Sequence, residues 1–379
     1  MNSPEIHTRI DADFGDSRYS LHIGRNIIAR IENWITSTTN DKRILIVADR
    51  FHEEIVDDLL CSLLQQCGFQ PIVYYIKGGK KNKSFHQALK IYGVLEENDF
   101  ARDSTLIALG GGIVGDLVGF VASTYLRGIN LVHIPTTLMA MIDSSIGGKV
   151  AINFRNTING IGNYYHPVFT IIDLNFIDTL PVRDFNAGLA EVIKCAFISD
   201  PEFLNTIVLA SEKIKNRDEE LLIGLIEKTI RIKIDFVRHD VKEQKKRLKL
   251  NYGHTLGHAV EMSTQGATGE IYRHGEGVSL GMVAASLVSN AYYTDVSYDL
   301  YKSHTDILGL YNLPTTVESA AIGYDRTKLI QQCLRNVYKD KKRIDGKLRM
   351  ILVKKIGEAE IVTNVSKQTI EDVFQRIIA

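Results

Sequence analysis

Ser104-Thr-Leu-Ile-Ala-Leu-Gly-Gly-Gly-Ile-Val-Gly-Asp116 reads as a buried strand that runs into a glycine turn and then opens a helix. The run Ser104 to Leu109 is apolar without the alternation of a strand wet on one face, so it belongs inside a sheet covered on both sides. Gly110, Gly111, Gly112 and Gly115 then satisfy G-x-G-x-x-G in a strand-to-helix setting. Glycines there let a pyrophosphate approach the amides of a helix N-terminus. A lone pattern of this kind also suits a plain tight turn, and it lies at a middle strand rather than in the first βαβ unit, so its surroundings must decide.

Working outward, Arg43 to Asp49, Pro71 to Ile76, Asn130 to Ile134 and Val168 to Asp173 are further short apolar, β-branched-rich runs separated by helical patterns. This alternation predicts a parallel, Rossmann-like α/β sheet. His7 to Phe14 and Arg18 to Ile23 flank Gly15-Asp-Ser and predict an antiparallel hairpin at a sheet edge. After Leu180-Pro181 the pattern changes to long helical periodicities at Ala187 to Ile198, Glu219 to Arg238, Tyr252 to Glu261, Gly275 to Tyr292 and Asp325 to Tyr338. Strands near Leu348 to Val353 and Glu360 to Val362 and a helix from about Lys367 to Ile378 follow. The expected domains are therefore 1–180, a dinucleotide-binding α/β domain, and 181–379, a mainly α-helical domain.

The 379 residues can bury a substantial core, and Lys plus Arg equals Asp plus Glu at 45 each. With no long basic run, this excludes nucleic acid and a membrane surface as expected partners. Cys61, Cys67, Cys195 and Cys333 show no C-x-x-C spacing, as suits buried thiols in a reducing cytoplasm. No signal-peptide pattern or membrane-length apolar stretch is visible.

Chemistry enters with His254 and His258, one helical turn apart in Asn251-Tyr-Gly-His-Thr-Leu-Gly-His258. Such a pair shares a helix face and can converge on one metal ion. Thr255 stands where a zinc protease would have its glutamate, so that reading is dropped. An isolated pair more often packs or caps, but Glu191, Lys194 and His274 add a carboxylate, a cation and a third imidazole. Asp49 and Thr136-Thr137, at strand ends, favour a bound dinucleotide over a plain turn. Arg127, Asp143, Lys149, Asn159, Lys341 and Lys342 stand mostly at glycine-bearing turns and would form a phosphate pocket only by converging. Lys233, Arg247 and Asn251 lead toward the histidines. By pattern alone Asn251 is a helix N-cap and Arg247 lies in an ordinary wet turn.

GGGIVGD, TYLRG, PTTLMAMIDSSIGGK, AGLAEVIK, NYGHTLGH, HGEG and DKK...GKLRMILV occur in this order from 110 to 353. The chain thus resembles the 3-dehydroquinate synthases and the wider sugar phosphate cyclase family over most of its length. The resemblance implies an NAD-binding domain, a helical metal domain, a homodimer and zinc held by Glu191, His254 and His274, cobalt being the other expected ion. It implies active-site roles for Lys194 and His258, substrate-pocket roles for Asp143, Lys149, Asn159 and Lys341 or Lys342, and a substrate carboxylate held by Lys233 and Arg247 with Asn251 beside them. Arg127 matches an arginine that reaches the partner's phosphate site. Lys83, Asp116, Asp143 and Thr179 join Asp49, Gly111, Gly112, Gly115, Thr136 and Thr137 as expected cofactor contacts.

The implied reaction converts 3-deoxy-D-arabino-heptulosonate 7-phosphate to 3-dehydroquinate and phosphate by transient NAD oxidation, phosphate elimination, re-reduction and intramolecular aldol closure. It would place the chain in the shikimate route to aromatic amino acids. Lys80 replaces a family glutamate expected at the adenosine ribose, and Ile158 replaces a lysine near cofactor and substrate. Those departures keep in view a specialised cyclase acting on a related sugar phosphate. A metal-dependent NAD polyol dehydrogenase and a paralogue without turnover are the other readings.

Overall fold

The structure, a computed structural model, describes residues 7–155, 157–266, 269–293, 299–339, 343–344 and 347–379. Internal contacts divide it into two compact units, Met1–Pro181 with Glu219–Lys242, and Val182–Asp218 with Glu243–Ala379. The change of pattern at Pro181 is thus a structural boundary, but the helix Glu219–Val237, expected in the second domain, packs with the first unit. Its helical period of apolar side chains says only that one face is covered, not by which part of the chain.

The first unit is built on strands β1 (His7–Asp13), β2 (Arg18–Gly24), β3 (Arg43–Asp49), β4 (Gln70–Ile76), β5 (Thr105–Gly110) and β6 (Asn130–Pro135). A hairpin of β7 (Lys149–Phe154) and β8 (Thr157–Tyr164) follows, and then β9 (Phe169–Asp173). The main sheet has the order β1-β2-β9-β6-β5-β3-β4, with every neighbouring pair parallel except β1 and β2. Only β1 of the expected edge hairpin lies at an edge, because β2 continues the sheet alongside β9. Ile44 to Ala48 are fully buried, as an interior parallel strand requires. Leu117, Val118, Val121 and Ala122 of the helix Gly112–Thr124 pack in one core with Leu106, Ala108 and Leu131 of the sheet and Val150 and Ile152 of β7.

Sequence reading missed the β7–β8 hairpin. Its outer strand reads as polar turn because β8 lies almost wholly toward solvent. A Cβ on Gly119 would lie 2.3 Å from Val150 Cγ1, so that glycine lets the hairpin settle on the helix.

In the second unit, the helices Val182–Ser199, His254–Ser263 and His274–Tyr292 form the centre, with Leu300–Leu310, Arg326–Lys339 and Lys367–Ile377 outside them. A hairpin of Met350–Lys355 and Glu358–Val362 completes it. Side-chain caps punctuate the helices. Asp200 accepts from the amide of Phe203 with Pro201 beginning the helix, and Ser366 accepts from Thr369. Among the described residues no helix is long and apolar enough to cross a membrane.

Candidate functional site

The second unit brings its histidines together through backbone contact. A Cβ on Gly257 would meet Gly277 O at 2.4 Å, one on Gly281 would meet Gly253 O at 1.8 Å, and one on Gly275 would meet Ala187 O at 1.8 Å. Without side chains at these three crossings the helices Val182–Ser199, His254–Ser263 and His274–Tyr292 touch main chain to main chain. His254 and His274 each begin a helix at such a crossing, and Glu191 lies in the middle of the third.

Glu191 is 1% exposed on its side chain, and its Oε2 accepts from Lys194 Nζ, itself 2% exposed, one turn along the same helix. Glu191 Oε1 is buried with no hydrogen-bond partner among the described residues. It faces His254 Nε2 at 3.5 Å and His274 Nε2 at 3.7 Å. The far nitrogens are engaged: His254 Nδ1 lies 3.1 Å from Tyr252 O, and His274 Nδ1 lies 3.2 Å from Glu261 Oε1. Both contacts favour the proton on Nδ1, which leaves the Nε2 lone pairs directed at the orphaned carboxylate oxygen.

Lone pairs converging on a carboxylate oxygen repel unless a cation stands among them. Donors on a tetrahedral ion with bonds of about 2.1 Å lie about 3.4 Å apart, close to the spacings found. The expected donors Glu191, His254 and His274 therefore fit a divalent ion. The ligand nitrogens of His254, His258 and His274 also lie within 4.8 Å of one another. His258 is a neighbour of the trio, but the unpartnered Glu191 oxygen makes the acidic donor the better third ligand.

Arg247 and Asn251 lie on the short 3₁₀ turn Lys246–Asn251. Arg247 is 2% exposed, so the wet turn expected from its charged neighbours is wrong. Asn251 is not an N-cap. Gly253, in the left-handed region at φ 78°, occupies that position, while the Asn251 amide donates to Glu243 Oε1 at 2.8 Å and to Leu248 O. Arg183 clamps Glu276 with two bonds of 2.6 and 2.7 Å, and Glu276 in turn accepts from the Arg273 amide, fixing the turn from which His274 projects.

In the first unit, Gly111 precedes the helix Gly112–Thr124 in extended conformation. Cβ atoms on Gly111 and Gly112 would lie 3.3 Å from Thr137 Cγ2 and 2.8 Å from Ser144 Oγ, so this is a cradle that side chains would fill. Gly115 sits over His133, whose pKa burial pushes down to about 4, keeping the imidazole neutral beneath the helix. Asp49 ends β3 and accepts from the Phe51 amide, and a Cβ on Gly78 would lie 2.7 Å from its Oδ2. Thr136 is buried at the end of β6, and the Thr137 hydroxyl accepts from Ala140 N. Thr179 turns back onto Phe176 O at 3.2 Å.

Buried Lys83 donates to both Asp116 and Asn159, joining the glycine helix to β8, where Asn159 takes a left-handed φ of 52°. Burial pushes the Asp116 carboxyl above its usual range, and the Lys83 ammonium opposes that shift. Lys233 donates to both the carbonyl and the carboxylate of Asp143, which stands on a π-type turn. Lys149 is exposed after Gly147 and Gly148, both in the left-handed region at φ 85° and 72°. Arg127 is exposed in a turn where Leu126, Arg127 and Gly128 all have positive φ. Lys341 and Lys342 lie outside the described residues.

Sequence reading missed Glu261, Glu243 and the Arg183–Glu276 clamp. Glu261 had a signal, since it follows His254 and His258 at i+7 and i+3 and so shares their helix face. Glu276 was visible inside the HGEG segment but only as sequence.

A 3-dehydroquinate synthase N-terminal family model matches residues 73–187, and the corresponding C-terminal model matches residues 188–343. A 3-dehydroquinate synthase of Thermodesulfovibrio yellowstonii is 36% identical over 369 residues, covering 97% of this chain and 99% of that protein. One of Picosynechococcus is 37% identical over 370 residues, covering 97% and 98%. A solved 2-deoxy-scyllo-inosose synthase, complexed with carbaglucose-6-phosphate, NAD+ and Co2+, superposes with a TM-score of 0.84 at 23% identity over 97% of this chain and 99% of that one. The 2-epi-5-epi-valiolone synthase of Streptomyces hygroscopicus, with NAD+ and Zn2+ bound, gives 0.83 at 24% over 95% and 96%. A glycerol dehydrogenase of Schizosaccharomyces pombe shares the fold more distantly, at 0.64 and 17% over 93% and 87%. Two adjoining family models and full-length relatives above a third identity lead to one assignment: this chain belongs to the 3-dehydroquinate synthase family.

Proposed function

We propose that the chain converts 3-deoxy-D-arabino-heptulosonate 7-phosphate to 3-dehydroquinate and inorganic phosphate, using NAD and a divalent ion, zinc or cobalt. The observation that carries this reading is the buried, unpartnered Glu191 Oε1 facing two imidazole Nε2 atoms in a chain whose relatives bear that name. When bound, NAD supplies a reversible hydride acceptor and the ion a Lewis acid for alcohol and carbonyl oxygens.

Glu191, His254 and His274 would hold the ion. Lys194 neutralises the far oxygen of Glu191, which lowers the cost of keeping that carboxylate ionised in the interior. His258 packs beside His254 and His274 and is not one of the three proposed donors; it would hold and pass a proton of a substrate hydroxyl. The buried Arg247 guanidinium offers planar donors to the substrate carboxylate, and Glu243 orients the Asn251 amide beside it. In the first unit, the amides at Gly111 and Gly112 suit the pyrophosphate, with Asp49, Thr136, Thr137 and Thr179 as further cofactor contacts. Lys83 orients Asn159, and Lys233 orients Asp143, so each polar group meets its ligand already aimed. Lys149 and Asn159 are the proposed phosphate contacts of this unit.

Arg127 makes no side-chain hydrogen bond or ion pair among the described residues, which supports a homodimer in which it serves a second copy. Four free cysteines, two of them buried, support a reducing cytoplasm as the compartment.

The test mixes enzyme, NAD and zinc with the heptulosonate phosphate, and in parallel with sedoheptulose and glucose phosphates. Phosphate release from the carboxylate-bearing substrate at constant NADH absorbance is expected. NADH accumulation would identify a dehydrogenase instead. Preference for a sugar phosphate without a carboxylate would favour the specialised cyclase, the reading that exposed Ile158 on β8 supports.

A further inference from the structure

His274 is held between two carboxylates. Its Nε2 faces Glu191 Oε1 at 3.7 Å and its Nδ1 meets Glu261 Oε1 at 3.2 Å. The two histidine donors therefore differ behind the ring, because His254 Nδ1 meets a neutral backbone carbonyl, Tyr252 O, at 3.1 Å. Glu261 reaches His274 from the helix His254–Ser263, with only a small part of its surface exposed. The room it occupies belongs to Gly277, where a Cβ would lie 2.4 Å from Glu261 Oε1 and 2.5 Å from its Cγ. Any larger residue at 277 would push the carboxylate off the imidazole.

We infer that Glu261 is a positioning residue for the metal: it fixes the His274 tautomer and ring angle, and raises the ring's donor strength through a charged hydrogen bond. The inference rests on the metal reading above. An imidazole whose second nitrogen donates to a carboxylate is a better σ-donor than one donating to a carbonyl, and losing such a support costs about 10- to 100-fold in metal affinity or activity. Gly277 acts through the same contact by leaving space for it.

The experiment compares the full chain with Glu261→Gln, Glu261→Ala and His274→Ala. Zinc affinity is read by competition with a chromogenic chelator, and the cobalt-loaded forms by their visible absorption. Glu261→Ala should lose about 10- to 100-fold in zinc affinity and shift the cobalt spectrum. Glu261→Gln preserves shape and an acceptor oxygen without the charge, so it should fall between wild type and alanine, and it keeps the test decisive if the alanine variant fails to fold. A carboxylate that only tied two helices together would lower the melting temperature and leave the cobalt spectrum as in wild type. Wild-type affinity and spectrum in folded Glu261→Gln and Glu261→Ala, with zinc lost in His274→Ala, would overturn the inference alone. Wild-type zinc affinity in His274→Ala would remove the metal reading and this inference with it.

Discussion

At Glu191 two demands meet on one side chain, since Oε2 takes the Lys194 ammonium while Oε1 faces the imidazoles. Removing one member of a buried ion pair costs about 3 to 5 kcal/mol because the other charge is left uncompensated. Lys194→Ala should therefore destabilise the zinc-free protein by about that amount, and by clearly less once zinc sits against the carboxylate. Denaturant unfolding with and without zinc measures the difference, and an equal loss in both states would refute it. Glu191, Lys194, His254 and His274 were legible in the sequence because two helical spacings and a carboxylate point to one chemistry. Arg247 and Asn251 were visible as candidates, but not in their environments. Charged neighbours made Arg247 look wet, and a cap position made Asn251 look structural, whereas burial and a partner on Glu243 decided both.

The elements that carry the candidate donors meet at glycines, so substitutions there separate crowding from helix propensity. Gly257→Ala puts a methyl 2.4 Å from Gly277 O, and forcing the helices apart should cost about 1 to 3 kcal/mol and weaken zinc binding. Gly224, inside the helix Glu219–Val237, has nothing within 4 Å of its ideal Cβ, so Gly224→Ala should stabilise by about 0.5 to 1 kcal/mol and leave zinc affinity alone. Thermal melts and chelator competition on both variants check this, and equal effects would refute the role given to close crossing. The strands of the main sheet were readable because buried parallel strands are continuous apolar runs. β7 and β8 were not, since a hairpin resting on a helix by one face, with its other strand in solvent, has the composition of a loop.

Across the molecule, each unit buries a histidine that stays neutral: His133 under the glycine helix, and His304, stacked on Phe197 with its nitrogens on Leu300 O and the Tyr252 hydroxyl. Burial pushes both from 6.5 down to about 4. Unfolding in that interval takes up protons that the folded state refuses, so this contribution is complete above about pH 6.5 and is lost as pH falls toward 4. The full shift is on the order of 3 kcal/mol per histidine. Unfolding free energy should fall between pH 7 and pH 5, and His304→Gln should be less stable at neutrality but show a shallower fall. A wild-type stability that is flat over this range would contradict the assignment. By itself the sequence determined the parallel sheet, the change to helices after Pro181 and the glycine turn, and it offered Glu191, His254 and His274 as candidates, because periodicity and short-range spacing act within an element. Only the tertiary structure decided that Glu219–Lys242 joins the first unit, that Lys233 pairs with Asp143, that Arg247 is buried and that Glu261 stands behind His274. Those outcomes depend on which apolar faces pack together and how closely the backbones approach, and neither quantity is written in local spacing.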